Sequence, residues 1–403
     1  MRSVDAHLRQ VLATVTPLRE LELRLADAHG CVLAEDVDAA GAVPAYDTVA
    51  AAGYAVRSAD VAAAAAQAPV GLHVVGDVPV GVAPAVTVQP GLAARVALGA
   101  VLPRGADAVV PAAWTDGGLA QVAVSRPVPP GAFVRAAGTD VAAGARVLSR
   151  DAVIGAPQVA LLAAAGRRNV LVRPKPRVVV VSVGAELVEP GRDLAPGEVA
   201  DAAGYGVAAA VREAGAIAFP AGIVPDDARR VADVVEDHLI QADLVVVCGG
   251  LGGGPYDVVS DVLGRLGSAT FDEVAMHPGG VQGFAIVGDE AVPVFALPGE
   301  PGAALVAFEV FVRPALRRML GAETLGRPHV SAVATTAFAS PEGRRQFVRA
   351  RVERSADRWV VTPTGETLTG LGAANALAVV PEDVTEVAAG TPLLTWLLER
   401  RGV

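Results

Sequence analysis

The chain has 403 residues, more than the roughly 250–300 that one hydrophobic core usually supports, so we expect about two to four domains. Hydrophobic residues make up 52% of the sequence and aromatic residues only 4%, which indicates cores built mainly from Ala, Val and Leu. The formal net charge of −10 argues against general binding to nucleic acid or to an anionic membrane, because such surfaces need clustered Lys and Arg.

The sequence predicts no membrane span, export signal or disulfide framework. Its Ala-rich runs are broken by Gly, Pro or charge well before the roughly 20 apolar residues that a span requires. Asp5, His7 and Arg9 stand where a signal peptide has its apolar stretch. Cys31 and Cys248 are too few and too far apart for a disulfide framework or a paired-cysteine metal site. We therefore expect a cytoplasmic protein without membrane insertion.

The first part of the chain predicts a helical domain that a β-rich domain interrupts. Apolar residues recur at helical spacing at Val4, Leu8, Val11 and Leu12. One helix or two should open the chain, and residues 151–166 have a helical pattern again. Between them, short Val-rich segments alternate with Gly and Pro, as short strands do. We predict a discontinuous helical domain of residues 1–55 and 139–172 around an inserted β-rich domain of residues 56–138.

Residues 173–326 predict a doubly wound α/β domain, which makes the whole chain a multidomain α/β protein. The run from Arg177 to Gly184 is nearly all apolar and ends in glycine, as a strand buried on both faces of a parallel sheet does. Helices and strands then alternate at lengths that form right-handed βαβ units, and such sheets bind ligands at the carboxyl ends of their strands. Alternating segments over residues 327–403 predict a terminal β domain.

A glycine-rich loop follows one of these predicted strands. The segment from Cys248 to Asp257 contains five glycines, among them Gly249 and Gly250, whose backbone N–H groups could approach an anion closely. The segment is not a dinucleotide fingerprint or a Walker loop, because Pro255 replaces the last glycine of the former and the GK[ST] ending of the latter is missing. An ordinary flexible turn is the alternative interpretation.

Carboxylates follow several predicted strands of the α/β domain. Glu186, Asp201, Asp226 and Asp257 should all lie at the carboxyl edge of the sheet. Several acids on one edge could hold Mg²⁺, which prefers oxygen ligands and bridges to substrate phosphates. Helix capping is the competing interpretation for the three aspartates, because each precedes a predicted helix.

Other polar residues are candidate anion contacts. His277 lies in a loop after a probable strand, although a single His is more often structural than catalytic. Arg135 and Asp140 lie together in the segment VRAAGTD, and Arg344 lies in a cluster of arginines. For that cluster a solvated basic face is the simpler interpretation.

The order of these segments resembles the MoeA/gephyrin E-domain family, and the resemblance covers nearly the whole chain. The matching segments are PAYDTVAAAGYAVR, GAVLPRGADAVVP, VRAAGTD, GAELVEPG, GIVPDD, GGLGGGPYD, MHPGG and LPGEPGAALVAFEVFVRPAL. The resemblance implies a homodimer whose chain has a helical first domain, an inserted β domain, an α/β ligand domain and a C-terminal β-barrel. It also implies that the protein takes adenylylated molybdopterin and molybdate, releases AMP with Mg²⁺ assisting, and delivers the finished molybdenum cofactor.

The resemblance assigns roles to individual residues. The catalytic set it implies is Glu186, Asp226, Asp257 and Asp140, of which Glu186 and Asp257 would hold the metal. The ligand-binding set it implies is Arg135, Asp201, Gly249, Gly250, His277, Pro278, Gly279, Pro298, Gly299 and Arg344.

The chain departs from the family pattern mainly at polar positions. Apolar or small residues replace family side chains at Ala52, Leu98, Ala185, Ala203, Gly252, Pro255 and Gly280, His277 replaces a Lys, and Glu300 replaces an Asn. We therefore expect a molybdopterin molybdenumtransferase with an altered active site. The alternative is a catalytically weak, dimeric gephyrin-like scaffold of the divergent actinobacterial branch, which binds the tail of a partner such as a cell-division protein.

Overall fold

A computed structural model describes residues 1–251 and 257–398, which form two compact units. Of the described residues, the larger unit contains 1–21, 30–32, 172–251 and 257–398, and the smaller unit contains 22–29 and 33–171. No helix in the described part of the chain is long and apolar enough to cross a membrane. The division differs from the predicted one, in which residues 1–55 form one domain with residues 139–172. The boundaries of the four predicted domains stay a prediction.

The opening helix belongs to the larger unit. Helix α1 spans Val4–Thr14, and the Ser3 hydroxyl caps it by accepting from the Ala6 N–H at 3.2 Å. Its apolar face, with Val4 and Val11, is buried in the hydrophobic core of the larger unit. The predicted second helix is instead a short strand followed by a 3₁₀ turn over Leu25–Asp27.

The smaller unit is rich in β-structure, as predicted. Through residue 173 the chain forms β1 Leu21–Arg24, β2 Val32–Leu33, β3 Val37–Asp38, β4 Thr48–Val49, β5 Gly53–Val56, β6 Val70–Val78, β7 Leu92–Val96, β8 Ala108–Pro111, β9 Gln121–Val124, β10 Val134–Arg135, β11 Arg146–Leu148, α2 Ala156–Ala164 and β12 Asn169–Arg173. Further 3₁₀ turns occupy Ser58–Val61 and Ala112–Trp114. Five strands form one sheet in the order β8-β5-β7-β6-β9.

The centre of the larger unit is the predicted doubly wound domain. Its elements are β13 Arg177–Val183, β14 Leu187–Val188, β15 Val199–Ala200, α3 Ala203–Glu213, β16 Ile217–Val224, α4 Ala228–Leu239, β17 Leu244–Gly249, α5 Val258–Leu266, β18 Gly267–Glu273, β19 Met276–His277, β20 Val281–Val287, β21 Val292–Leu297, α6 Pro301–Ala307 and α7 Arg313–Met319, with a π-helical turn at Phe308–Val312. The main sheet has the order β16-β13-β17-β21-β20-β18, and its first four strands are parallel.

The valines of β13 show why the sheet is buried on both faces. Val178 and Val180 pack into the core beneath α3, α6 and α7, whereas Val179 and Val181 pack into the core beneath α4 and α5. Successive side chains of a strand point to opposite faces, so a continuous valine run needs helices on both sides. This layering brings the carboxyl ends of the parallel strands to one edge of the sheet.

The C-terminal part of the larger unit is the expected β-barrel. It contains β22 His329–Ala334, β23 Phe338–Ala339, β24 Arg345–Ser355, β25 Arg358–Pro363, α8 Leu368–Ala373, β26 Ala376–Val380, β27 Glu386–Val387 and β28 Pro392–Leu397. The strands β24, β25, β22, β28 and β26 pair in that order, and β26 pairs with β24 again, so five strands close into a ring. Small side chains such as Ala332 and Ala378 fill its interior.

Candidate functional site

A cavity of about 770 Å³ lies at the carboxyl edge of the parallel sheet and is called here the carboxyl-edge cavity. Its walls are the loops that follow β13, β17 and β21. Eight of the predicted site residues line it, namely Glu186, Asp201, Asp226, Gly249, Gly250, Gly279, Pro298 and Gly299. The structure therefore brings together residues that are more than 110 positions apart in the chain, from Glu186 to Gly299.

Two carboxylates meet at the loop that follows β13. The Asp226 Oδ2 atom accepts a hydrogen bond of 2.8 Å from the Ala185 N–H. The Glu186 carboxylate folds back over Gly184, where an added Cβ would lie only 2.6 Å from Oε2. Asp227, not Asp226, caps α4, since its Oδ1 atom accepts from the Arg230 N–H at 2.9 Å. Helix capping therefore does not account for Asp226 or Glu186.

Asp201, which lines the cavity, forms a buried hydrogen-bonded pair with Ser182. The Ser182 hydroxyl donates to Asp201 Oδ2 over 2.5 Å, and Asp201 Oδ1 accepts from the Gly204 N–H at 2.8 Å in the first turn of α3. Asp201 is only 5% exposed and Ser182 only 3%. Sequence reasoning missed Ser182, although it is the one polar residue between Val178 and Val183 and so carried a signal.

The thiol of Cys248 lies on the same wall at the end of β17. Burial, with the Asp201 carboxylate as a smaller cause, raises the pKa of Cys248 far above its ordinary value. The thiol is therefore protonated at neutral pH and acts as a small apolar group.

The glycine-rich loop begins on the cavity wall with two left-handed residues. Gly249 has φ +96° and Gly250 has φ +68°, a region that residues with a side chain rarely adopt. An added Cβ would overlap the carbonyl of Val183 at Gly249 and the side chain of Val259 at Gly250. Both glycines are thus required by conformation and by close contact. Gly252 and Pro255 lie outside the described residues.

The loop after β19 and the loop after β21 run between the carboxyl-edge cavity and a second one. Gly279, Gly280 and Pro298 face the former. His277, Pro278 and Glu300 instead line a separate cavity of about 420 Å³, called here the Arg349 cavity after its buried arginine. The predicted ligand-binding residues His277 and Pro278 therefore line this second cavity, whereas Gly279, the chain neighbour of Pro278, lines the first.

Glu300 has a structural role that the sequence did not predict. Its carboxylate accepts from the backbone N–H groups of Gly302 at 2.9 Å and Ala303 at 2.5 Å, and so caps α6. The helix N-terminus therefore compensates the negative charge that replaces the family's Asn.

The remaining predicted residues have local partners. Asp257 caps α5, because its Oδ1 atom accepts from the Ser260 N–H at 3.3 Å, and it is not among the described residues that line the carboxyl-edge cavity. Arg344 pairs with Glu273 at 2.6 Å. Arg135 pairs with Asp140 in the smaller unit.

The carboxylates provide a partial fit to Mg²⁺. In the described part of the chain, no three His, Cys, Asp or Glu residues cluster as a metal site. Glu186 and Asp226 nevertheless line one cavity, and Mg²⁺ is commonly held by one or two carboxylates together with substrate phosphates and water. Glu186 and Asp226 fit such a shared site. The predicted metal-binding pair was Glu186 and Asp257, but Asp257 is not among the described residues that line this cavity.

Fold and cavity together define a multidomain α/β ligand-binding protein, and comparisons with known proteins give its family. Residues 2–166 match the MoeA N-terminal region (domain I and II), residues 179–318 a probable molybdopterin binding domain, and residues 331–398 the MoeA C-terminal region (domain IV). The solved structure of the molybdopterin biosynthesis MoeA protein from Pyrococcus horikosii superposes with a TM-score of 0.79 at 29% identity, covering 98% of this chain and 99% of that one.

Curated relatives agree with these matches. The chain is 41% identical over 404 residues to molybdopterin molybdenumtransferase 2 of Mycobacterium tuberculosis, covering 98% of this chain and 99% of the relative. It is 40% identical over 414 residues to molybdopterin molybdenumtransferase 1 of the same organism, covering 97% of each. The chain belongs to the MoeA family of molybdenum-cofactor biosynthesis proteins, which confirms the resemblance and the α/β multidomain fold.

Proposed function

We propose that this protein is a molybdopterin molybdenumtransferase that binds adenylylated molybdopterin and molybdate and releases AMP. The observation that carries the proposal is the carboxyl-edge cavity, on which the glycine loop and two carboxylates without a capping role meet. Its volume of about 770 Å³ lies within the usual range of small-molecule sites, roughly 300–1,000 Å³.

The geometry suggests a role for each wall. Gly249 and Gly250 leave the backbone free of side chains, so that a phosphate group can come close to it. Glu186 and Asp226 would hold Mg²⁺ against the phosphates of the substrate. When bound, the ion supplies Lewis-acid stabilisation of the charge that develops as AMP leaves. The inner pair of Ser182 and Asp201 fixes the start of α3 behind the substrate.

The altered positions support a second part of the proposal, which is turnover well below that of a relative with the full motif set. Ala52 lines a separate cavity of about 380 Å³ in the smaller unit, and Leu98 is 61% exposed in that unit. In the larger unit, Gly280 offers the carboxyl-edge cavity no ammonium group. Losing one hydrogen-bond donor that faces the developing charge commonly costs about 2.7–4 kcal/mol of transition-state stabilisation, so any of these positions that faces the substrate would lower turnover by that order.

The test is molybdate-dependent release of AMP from adenylylated molybdopterin by the purified full chain. Glu186→Gln should lower the rate about 100-fold or more, whereas Glu236→Gln, the same change on the exposed face of α4, should not. If neither variant loses activity, the proposed role of the cavity is refuted.

A restoring series tests the altered site. Ala52→Asp, Leu98→Thr and His277→Lys should raise the rate, and a parent chain that already works at the rate of a full-motif relative would refute this part. Gly280→Lys is the least favourable of the family changes, because an added Cβ would lie 2.8 Å from Arg344 Nη1. If neither the parent nor any restored variant releases AMP, the transferase proposal fails and the scaffold hypothesis gains.

The homodimer, the cytoplasmic location and a protein-tail partner remain part of this proposal. The dimer is supported by exposed apolar side chains on the smaller unit, where Val80, Val82 and Leu98 are 57%, 55% and 61% exposed. Sedimentation that shows only monomer at micromolar concentration would refute the dimer.

A further inference from the structure

Arg2, which precedes α1, pairs with the segment that leads into the loop after β19. That loop consists of residues 278–280, and its two glycines line the carboxyl-edge cavity. The Arg2 N–H donates to the Glu273 carbonyl at 2.8 Å, and the Arg2 carbonyl accepts from the Ala275 N–H at 2.7 Å. The Ala275 carbonyl accepts from the Arg345 N–H of β24 at 2.9 Å. The segment directly before β19 therefore binds Arg2 as well as the barrel.

The Arg2 side chain reinforces this backbone contact. Its Nη1 atom lies 2.5 Å from Asp272 Oδ2 near the end of β18, and the two side chains are only 34% and 25% exposed. His7 Nδ1 lies 3.7 Å from the same carboxylate oxygen. Hydrogen bonds between charged groups are roughly twice as strong as neutral ones, and partial burial reduces their screening by salt. Arg2 is therefore held at β18 by its side chain as well as by its backbone.

The segment that Arg2 contacts is bonded in turn to the loop after β19. The Val274 N–H donates to the Gly280 carbonyl at 2.7 Å, and the Met276 N–H donates to the Val274 carbonyl at 2.7 Å. On the far side of the loop, the Gln282 side-chain amide donates to the Gly279 carbonyl at 2.6 Å. A displacement of the segment before β19 would therefore move Gly280, and with it part of the cavity wall.

We propose that Arg2 is a positioning residue for the carboxyl-edge cavity, because it holds the loop after β19 where its glycines form part of the wall. Arg2 is not among the described residues that line this cavity, so it acts through Asp272 and the backbone of residues 273–275. The inference rests on the proposed function, in which this cavity binds the substrate. Glycines offer no reacting side chain, so displacing them should weaken the binding of substrate and transition state alike. The expected signature is a higher KM with kcat nearly unchanged.

Side-chain variants test whether the charge of Arg2 matters. Arg2→Gln removes the ion pair with Asp272 but leaves the backbone able to pair. Arg2→Lys should restore the function, because the contact joins one nitrogen to one carboxylate oxygen and does not need the paired geometry of a guanidinium. Asp272→Asn removes the other partner, and its combination with Arg2→Gln should cost no more than the larger single effect. The matched control is Arg229→Gln, at an exposed position on α4.

The first measurement is native-state hydrogen exchange of the full chain, followed by mass spectrometry. Exchange over residues 274–280 should be about tenfold faster or more in Arg2→Gln and in Asp272→Asn, because a charged hydrogen bond that holds the segment is lost. Exchange there should match the parent in Arg2→Lys and Arg229→Gln, and exchange in α5 should be unchanged in every variant.

The second measurement is molybdate-dependent AMP release from adenylylated molybdopterin. Arg2→Gln should raise KM about fivefold or more and change kcat by less than about twofold. Arg2→Lys and Arg229→Gln should behave as the parent does.

Four results would overturn the proposal. They are unchanged exchange over residues 274–280 in Arg2→Gln, equally faster exchange in Arg229→Gln, faster exchange over the whole chain, which would indicate general destabilisation, and an unchanged KM in Arg2→Gln of an active enzyme. If the parent releases no AMP, the proposed function is refuted instead. The exchange measurement then decides by itself whether Arg2 holds the loop.

Discussion

Replacing Ser182 or Asp201 should loosen the inner wall of the carboxyl-edge cavity. The two side chains form one buried unit, in which Asp201 accepts from the Ser182 hydroxyl at 2.5 Å and from the Gly204 N–H at 2.8 Å. Ser182→Ala removes a hydrogen bond to a charged group, which costs about 1.5–3 kcal/mol in free energy of unfolding. Asp201→Ala loses the bond at the start of α3, about 1 kcal/mol, and leaves the Ser182 hydroxyl unpaired, about 1–3 kcal/mol. Its total is about 2–4 kcal/mol.

The double variant decides whether the two residues act as a unit. Once Asp201 is gone, removing the Ser182 hydroxyl removes the unpaired group, so the double variant should be no less stable than Asp201→Ala alone. Asp201→Asn should cost less than Asp201→Ala, because its amide can still accept from the Gly204 N–H and donate to Ser182 Oγ. Equilibrium urea unfolding measures the totals, and native-state hydrogen exchange of the Gly204 amide measures the local effect. Strict additivity of the two alanine substitutions, or unchanged exchange at Gly204, would refute the reasoning.

Three further predictions concern the larger unit. Gly249→Ala should lower the free energy of unfolding, measured in urea, by at least about 1–2 kcal/mol, because φ is +96° and the added Cβ would overlap the Val183 carbonyl. Gly264→Ala, where the added Cβ meets nothing within 4 Å, should be neutral or slightly stabilising. Glu309→Ala should cost up to about 3–5 kcal/mol, because it removes the nearest carboxylate of the buried Arg327, at 2.6 and 2.8 Å, and leaves only Glu213 at 3.6 Å and the Leu398 carbonyl. The combined Glu309→Leu and Arg327→Met change should cost clearly less, and an equal cost would contradict this. Burial lowers the pKa of His7, and the Asp272 carboxylate opposes this only in part. As the pH falls below about 6.5, the unfolded chain therefore binds a proton at His7 before the folded chain does, and the free energy of unfolding should decrease. Below about pH 6.5, the urea midpoint of His7→Leu should therefore depend less on pH than that of the parent. His29→Leu, at an exposed position, should show the pH dependence of the parent.

Local patterns predicted much of the α/β domain and the barrel. The valine run of β13 can satisfy both of its faces only inside a parallel sheet, and the expected helices after it appear as α3 and α4. The loops that follow those strands then had to share one edge, which is why eight predicted residues line the carboxyl-edge cavity. The order of the motifs along the chain indicated the family, and the family matches confirm that assignment.

What the sequence determined by itself was therefore the sheet, the barrel and the edge at which eight predicted residues meet, because hydrophobic periodicity and strand direction are local properties. Only the tertiary structure decided which polar groups are free. It placed the apolar face of α1 in the core of the larger unit. Glu300 and Asp257 cap helices, and the Ser182 hydroxyl donates a hydrogen bond to Asp201. The tertiary structure also placed His277 on a different cavity from Gly280. Each of these outcomes depends on contacts between segments that are distant in the chain. The spacing of residues around a side chain does not show which distant residue will be its partner, so the sequence pattern could not predict these contacts.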